Sequence, residues 1–171
     1  LSSSPYTDAV REEIKTGDCI QWQSNSILGK LIRIFSPQIN HSSLALRLDY
    51  KGLEDRRFLL EALEMGIDMN LLSMRLDDYD GKAWWYKLHS KFDSLREHIG
   101  AWALKRVGTP YDYGSLFKNM MGRVSADANK FFCSEYVYLC YLEHRIVPRM
   151  KAPRPGDLIH LPIWERIERI R

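Results

Sequence analysis

The sequence predicts an α+β protein, with a strand-rich first half and a mainly helical second half. Two observations carry this. Residues 41–90 hold four short apolar runs parted by turn signals, whereas from Asp93 onward the apolar positions recur at helical spacing. Strands and helices are therefore segregated rather than alternating. Hydrophobic residues at 45% and charged residues at 27% suit a globular protein with an ordinary core.

In chain order, LSSSPYT is polar and reads as loose over residues 1–7. DAVREEIK forms a short helix that Thr16-Gly17 stops, and CIQWQ reads as a strand. SILGKLIRIF places Ile27, Leu28, Leu31, Ile32 and Phe35 on one helical face and ends before Pro37. HSSLALRLDY alternates, with Leu44, Leu46 and Leu48 on one face and His41, Ser43 and Ala45 on the other. RFLLEALEM is a strand broken only by Glu61, and GIDMNLL and AWWYKLHS follow as strands. Gly52 and DDYDG mark turns between them. Asp93 is placed to cap a helix running to about Val107, which Gly108-Thr109-Pro110 ends. A further helix is expected from Cys133 to His144, and PRPGDLIHLPIWERI is expected to make a final short helix between proline breaks.

At 171 residues the chain fits a single domain over 1–171. A net charge of +3 is too mild to imply nucleic acid, and none is expected as a partner. No apolar run reaches the roughly 18–20 residues of a membrane span, and no signal-peptide pattern stands out. The chain starts at Leu1 rather than Met, so localisation stays open between bacterial cytoplasm and envelope. The three cysteines make a poor disulfide framework. Cys133 and Cys140, if on one helix, lie about 10 Å apart along its axis, beyond the roughly 7 Å that a bridge tolerates.

Cys133 heads the segment CSEYVYLCY, where Cys133, Val137, Cys140, Tyr141 and His144 share a face. At the first turn of a helix, free N–H groups and the dipole favour a thiolate. Three readings stand: a buried structural cysteine, a nucleophile, or a zinc ligand through the Cys140/His144 spacing. No CxxC pair supports zinc. Of the five histidines, His144 is about 16 Å along the helix from Cys133, and His98 falls in a charged stretch. His89 and His160 end or follow apolar runs and suit structural roles. His41 opens a strand among small residues, and Glu61 is a carboxylate inside an apolar strand that needs a partner. A histidine on a neighbouring strand would satisfy Glu61 and be oriented by it.

These motifs together resemble the NlpC/P60 superfamily of papain-like cysteine hydrolases. GTPYDYG followed by CSEYVYLCY is similar to its tyrosine loop and cysteine helix. The histidine strand NHSSLAL comes before the cysteine, as in the circularly permuted YiiX/YebB-like branch, distantly related to lecithin-retinol acyltransferase. TGDCIQW, FLLEALEMGI and PRPGDLI match further segments in the permuted order. The resemblance implies a permuted papain-like fold, an antiparallel sheet packed against helices. It implies Cys133 as nucleophile, His41 as base, Glu61 as the group that orients His41, and Tyr111 beside the oxyanion with the Cys133 N–H. It implies no metal and no organic cofactor. Ser134-Glu135 replaces the superfamily's Ser-Gly, as in permuted members, and Glu135 reads as an exposed first-turn acid. The stretch between Gly114 and Cys133 is longer than in ordinary members, which leaves the substrate-side wall unread.

The expected reaction is hydrolysis of an amide through an acyl-enzyme, in a cell-wall peptide as in the wider superfamily. The permuted branch also implies a lipid-directed acyl hydrolase or acyltransferase, so the substrate partner is a peptide or lipid carrying an amide or ester. Trp22, Phe35, Trp84, Trp85 and Phe117 would suit an acyl chain, although such spacing more often builds core. HRIVPRMKAPR is basic throughout and is open to peripheral contact with a membrane or wall polymer, or to plain solvation. A non-catalytic binding module on the same fold is the third reading. Leaving group and oligomeric state are not encoded.

Overall fold

The computed structural model describes residues 6–24, 39–63, 66–109, 128–149 and 153–171, with the backbone alone described at 128–132 and 155. The expected helix over 27–35, Phe35, Tyr111, Phe117 and most of the segment between Gly114 and Cys133 lie outside the described residues.

Six strands form one antiparallel sheet: β1 Cys19–Ser24, β2 His41–Leu46, β3 Phe58–Leu63, β4 Gly66–Leu71, β5 Gly81–Leu88 and β6 Trp164–Arg169, in the order β4-β3-β2-β1-β5-β6. The register follows from the alternation in β2. Leu44 faces Cys19 on one side and Leu60 on the other, and Ala45 faces Leu59. The α+β architecture with an antiparallel sheet against helices is therefore as the sequence predicts.

The two faces bury different helices. Cys19, Leu44, Leu60 and Tyr86 form one core with Val137, Cys140 and Tyr141 of α4, Ala128–Glu143, and Ile99 and Ala103 of α3, Arg96–Leu104. Ile20, Ala45, Leu59 and Trp85 form the other with Ile14, which follows α1, Asp8–Glu13, and with Leu72 and Leu76 of α2, Leu72–Asp78. Each of these aliphatic side chains gains roughly 1.5–3 kcal/mol by leaving water, which is why an alternating strand locks its register. Gly17, at φ 88, makes the tight turn into β1, and its carbonyl accepts from the Tyr141 hydroxyl at 2.8 Å.

Four elements differ from the sequence expectation. α2 is a helix where the pattern suggested the tail of a strand and a turn, because Leu72 and Leu76, one turn apart, both reach the core. Asp93 does not start a helix. A 3-10 helix, Ser90–Leu95, capped by the His89 side chain, comes first, and Asp93 instead binds Lys15 and Arg96. The C-terminal segment makes a 3-10 helix, Pro155–His160, and then β6. Trp164, Ile167 and Ile170 recur every three residues, a helical spacing, but the open edge of β5 offers ladder hydrogen bonds that the segment takes. Finally, α4 begins at Ala128, five residues before Cys133, since neither proline nor glycine interrupts ANKFF.

Candidate active site

His41 is the first residue of β2, opposite Trp22 on β1, and Glu61 lies on the adjacent β3. The His41 Nε2 is 2.8 Å from Glu61 Oε1. The ring also hydrogen-bonds the thiol of Cys133, which leaves Nδ1 as the nitrogen for that contact. The structure thus brings together three of the sequence-predicted residues, from two strands and α4. Tyr111, the fourth, lies outside the described residues. Cys133 is 3% exposed and Glu61 fully buried.

The Glu61 carboxylate is saturated. Oε1 also accepts from Ser43 Oγ at 2.8 Å, Oε2 accepts from Asn70 Nδ2 at 3.0 Å, and Arg75 Nε makes an ion pair with Oε2 at 3.5 Å. Trp22 Nε1 donates to Ser43 Oγ at 2.8 Å, which orients the serine toward Glu61. Burial alone would raise the Glu61 carboxyl, but His41, Arg75 and Ser43 together hold it down at about 2. Burial would likewise lower His41. Its interactions with Cys133 and Glu61 override this and raise the imidazole to about 9. At neutral pH the arrangement therefore favours a charged imidazolium beside an ionised Glu61.

Ser43, Asn70 and Arg75 are the functional residues that sequence reasoning missed as partners. Ser43 was visible only as a small residue two positions from His41. Asn70 and Arg75 become neighbours of Glu61 through the β3–β4 pairing and α2, and α2 was not anticipated. The start of α4 also changes the picture of Cys133. As the sixth residue of the helix it sits inside the i→i−4 ladder, so its N–H is not one of the four free groups at the N-terminus. Neither the dipole nor that N–H is positioned as the sequence suggested, and the titratable group that interacts with Cys133 is His41. Glu135 lies in the third helical turn and is half-buried rather than an exposed first-turn acid, and desolvation pushes its carboxyl up to about 7.

The remaining histidines are occupied elsewhere or exposed. His144 Nδ1 meets the Cys140 carbonyl at 2.7 Å, His89 Nδ1 accepts from the Lys91 N–H, and His98 and His160 are exposed. Cys19, Cys133 and Cys140 are all free thiols. Trp22 and Trp85 are fully buried core, as the commoner reading of such residues had it. Among the described residues, no group of three His, Cys, Asp or Glu side chains is arranged to hold a metal ion, and no helix is long and apolar enough to cross a membrane.

Comparison with known proteins bears on the fold and the family. The fold is similar to the crystal structure of the metalloprotein yiiX from Escherichia coli O157:H7, a DUF1105 protein, with a TM-score of 0.55 at 19% identity. The match covers 77% of this chain and 66% of that one, just under two thirds of its length. No curated protein matches the chain. Residues 13–158 match the family of permuted papain-like amidase enzymes, YaeF/YiiX, C92. With the match spanning most of its length, the chain belongs to that permuted papain-like amidase family.

Proposed function

We propose that this protein cleaves an amide in a cell-wall peptide through a Cys133–His41–Glu61 triad. The observation that carries the reading is the continuous chain from a saturated, buried Glu61 through His41 to the Cys133 thiol. A purely structural histidine has no need of a carboxylate fixed by three further groups. The wall-peptide substrate rests on the resemblance to NlpC/P60 hydrolases, and Tyr111 on the same resemblance. Exposed Arg145, Arg149 and Arg154 would meet an anionic wall polymer.

His41 holds the thiol proton and Cys133 attacks the carbonyl carbon. The tetrahedral intermediate collapses as His41 protonates the leaving amine, and water then hydrolyses the thioester with His41 as base. Glu61 fixes the ring so that one nitrogen faces the sulfur, and it offsets the imidazolium charge. The fold match is described as a metalloprotein. Here Glu61 is engaged by His41, Ser43, Asn70 and Arg75, and this donor set does not fit a metal, so no step involves one.

Whole-protein mass spectrometry after exposure to γ-D-glutamyl peptides, with lipid esters in parallel, tests this. The expected result is peptide cleavage and a Cys133-linked acyl adduct, both abolished in Cys133→Ser. Acylation by lipid esters alone would replace the substrate, and no adduct with either would remove the catalytic reading. Trp22 and Trp85 do not favour a lipid groove, because each is fully buried and spends its Nε1–H inside the protein, on Ser43 and Asp18.

A further inference from the structure

The intermediate needs donors for its oxyanion, and the Cys133 N–H is committed to the helix. Two neighbouring residues on β1 and β2 carry buried polar atoms that have no hydrogen-bond partner among the described residues. Gln21 and Ser42 are directly opposite each other in the β1–β2 register. Both are fully buried, and among the described residues Gln21 Oε1 and Ser42 Oγ have no hydrogen-bond partner. Buried polar groups without partners are rare and costly. A cross-strand pair of them therefore calls for a reason.

The pair lies on the sheet face that α4, the helix carrying Cys133, covers. Side chains alternate along a strand, so Gln21 and Ser42 share the face of Cys19 and Leu44, which is the face α4 covers. The Tyr141–Gly17 hydrogen bond sets how far along β1 the helix lies. Eight residues back from Tyr141, about 12 Å of helix, is Cys133. Four residues on from Gly17, about 13 Å of strand, is Gln21. His41 precedes Ser42 and turns to the opposite face with Ser43 and Glu61, and it interacts with Cys133 at the start of β2, where the strand begins.

We propose that the Gln21 amide and the Ser42 hydroxyl are oxyanion donors for Cys133. This rests on the amidase reading of the site and adds donors from β1 and β2 to it. As the C–S bond forms, the carbonyl π pair moves onto oxygen, which then accepts from Ser42 Oγ–H and a Gln21 N–H. When the leaving group departs the pair returns and the C=O is restored. Gln21 is free to do this because its one contact is weak. Nε2 lies 3.4 Å from the Cys19 sulfur, a poor acceptor. With the amide turned over, the Cys19 S–H, kept protonated by burial, donates to Oε1 and the N–H groups face the other side.

Alkylation separates this role from a structural one, because iodoacetamide reacts by displacement and forms no oxyanion, whereas p-nitrophenyl acetate forms one. In Ser42→Ala and Gln21→Met, acylation of Cys133 is expected to fall about 10²-fold while alkylation stays within about twofold of wild type. Removing an unsatisfied buried group is also expected to hold the melting temperature or raise it by about 2–4 °C. Variants that acylate like wild type overturn the proposal. So does a parallel fall in alkylation, acylation and melting temperature, which marks structural residues. A wild-type protein that alkylates at Cys133 but never acylates overturns the amidase reading as well, so the two failures are distinguishable.

Discussion

Two buried carboxylates lie along the sheet, Asp18 just before β1 and Glu61 within β3, and they differ in where their hydrogen-bond networks end. Asp18 accepts from the Lys15 and Leu88 N–H groups at 3.0 Å, from Trp85 Nε1 at 2.8 Å and from Arg96 at 2.8 Å. Arg96 spends its other donors on Asp93 and on the carbonyls of Thr16 and Leu88, and its side chain is 8% exposed. That network leads outward to the exposed Asp93–Lys15 ion pair. It ties β1, β5 and α3 together, and among the described residues its hydrogen bonds and ion pairs lead to no histidine and no cysteine. Glu61 is equally buried and similarly saturated, yet one of its four partners is His41, 17% exposed, whose other nitrogen meets a thiol. Burial of a carboxylate does not mark a catalytic site. A network that terminates on a titratable group facing a nucleophile does.

The largest expected effect tests that contrast directly. Asp18→Ala strands a buried guanidinium and is expected to cost about 3–5 kcal/mol in chemical denaturation. Glu61→Ala leaves Arg75, whose side chain is 35% exposed, free to turn to water, and is expected to cost about 1–3 kcal/mol. The activities should rank the other way per unit of stability lost, with Glu61→Ala at least about 100-fold slower in acylation while still folded. An unfolded Glu61→Ala beside a well-folded Asp18→Ala would reverse the assignment of the two centres.

Acidity sharpens the same contrast. His41 is raised from 6.5 to about 9, so its contribution to stability is complete below 6.5 and disappears as pH rises through about 9. Glu61 is lowered from 4.5 to about 2, so its contribution is present above 4.5 and disappears as pH falls through about 2. Both contribute fully between about 4.5 and 6.5. The stability gap between wild type and His41→Ala should therefore be widest there and close above about pH 9, measured by urea unfolding across pH. In parallel, Cys133 alkylation at pH 6 is expected to drop at least about 10-fold in His41→Ala. A gap that is constant with pH would mean that His41 merely packs.

How far the sequence could be read depended on range. Local alternation placed β2 and β3, and with them His41 and Glu61 on adjacent strands. The unusual carboxylate in FLLEAL was the strongest single signal, because an ionised group in an apolar strand demands a partner. The residues that complete the site were illegible for reasons of geometry. Asn70 and Arg75 reach Glu61 only after β4 and α2 fold back on β3, and two core leucines are too few to announce a helix. β6 was misread because its apolar spacing is helical while its structure is dictated by the exposed edge of β5. The orphaned atoms of Gln21 and Ser42 have no sequence signature, since only the packed structure shows which polar groups go unanswered.

The smallest expected effect concerns Arg75, where the Glu61 network meets solvent. Its guanidinium carbon lies 5.8 Å from the Trp22 ring centroid and 5.9 Å from that of Tyr79, and these rings pack edge-on at 4.8 Å. Stacking holds Nε at Glu61, but the ion pair is long and partly exposed, so salt screens it. Arg75→Gln is expected to lower stability by less than about 1 kcal/mol. Its effect should appear in the acid limb of Cys133 acylation. Without the guanidinium, Glu61 protonates at a higher pH, so the limb moves upward while the rate at pH 7 changes little. The same displacement should be reproduced in the wild type by raising ionic strength, and Arg75→Gln should be insensitive to that salt. If the acid limb stays fixed in the variant, His41, Ser43 and Asn70 alone keep Glu61 ionised, and the arginine belongs with α2 packing rather than with the site.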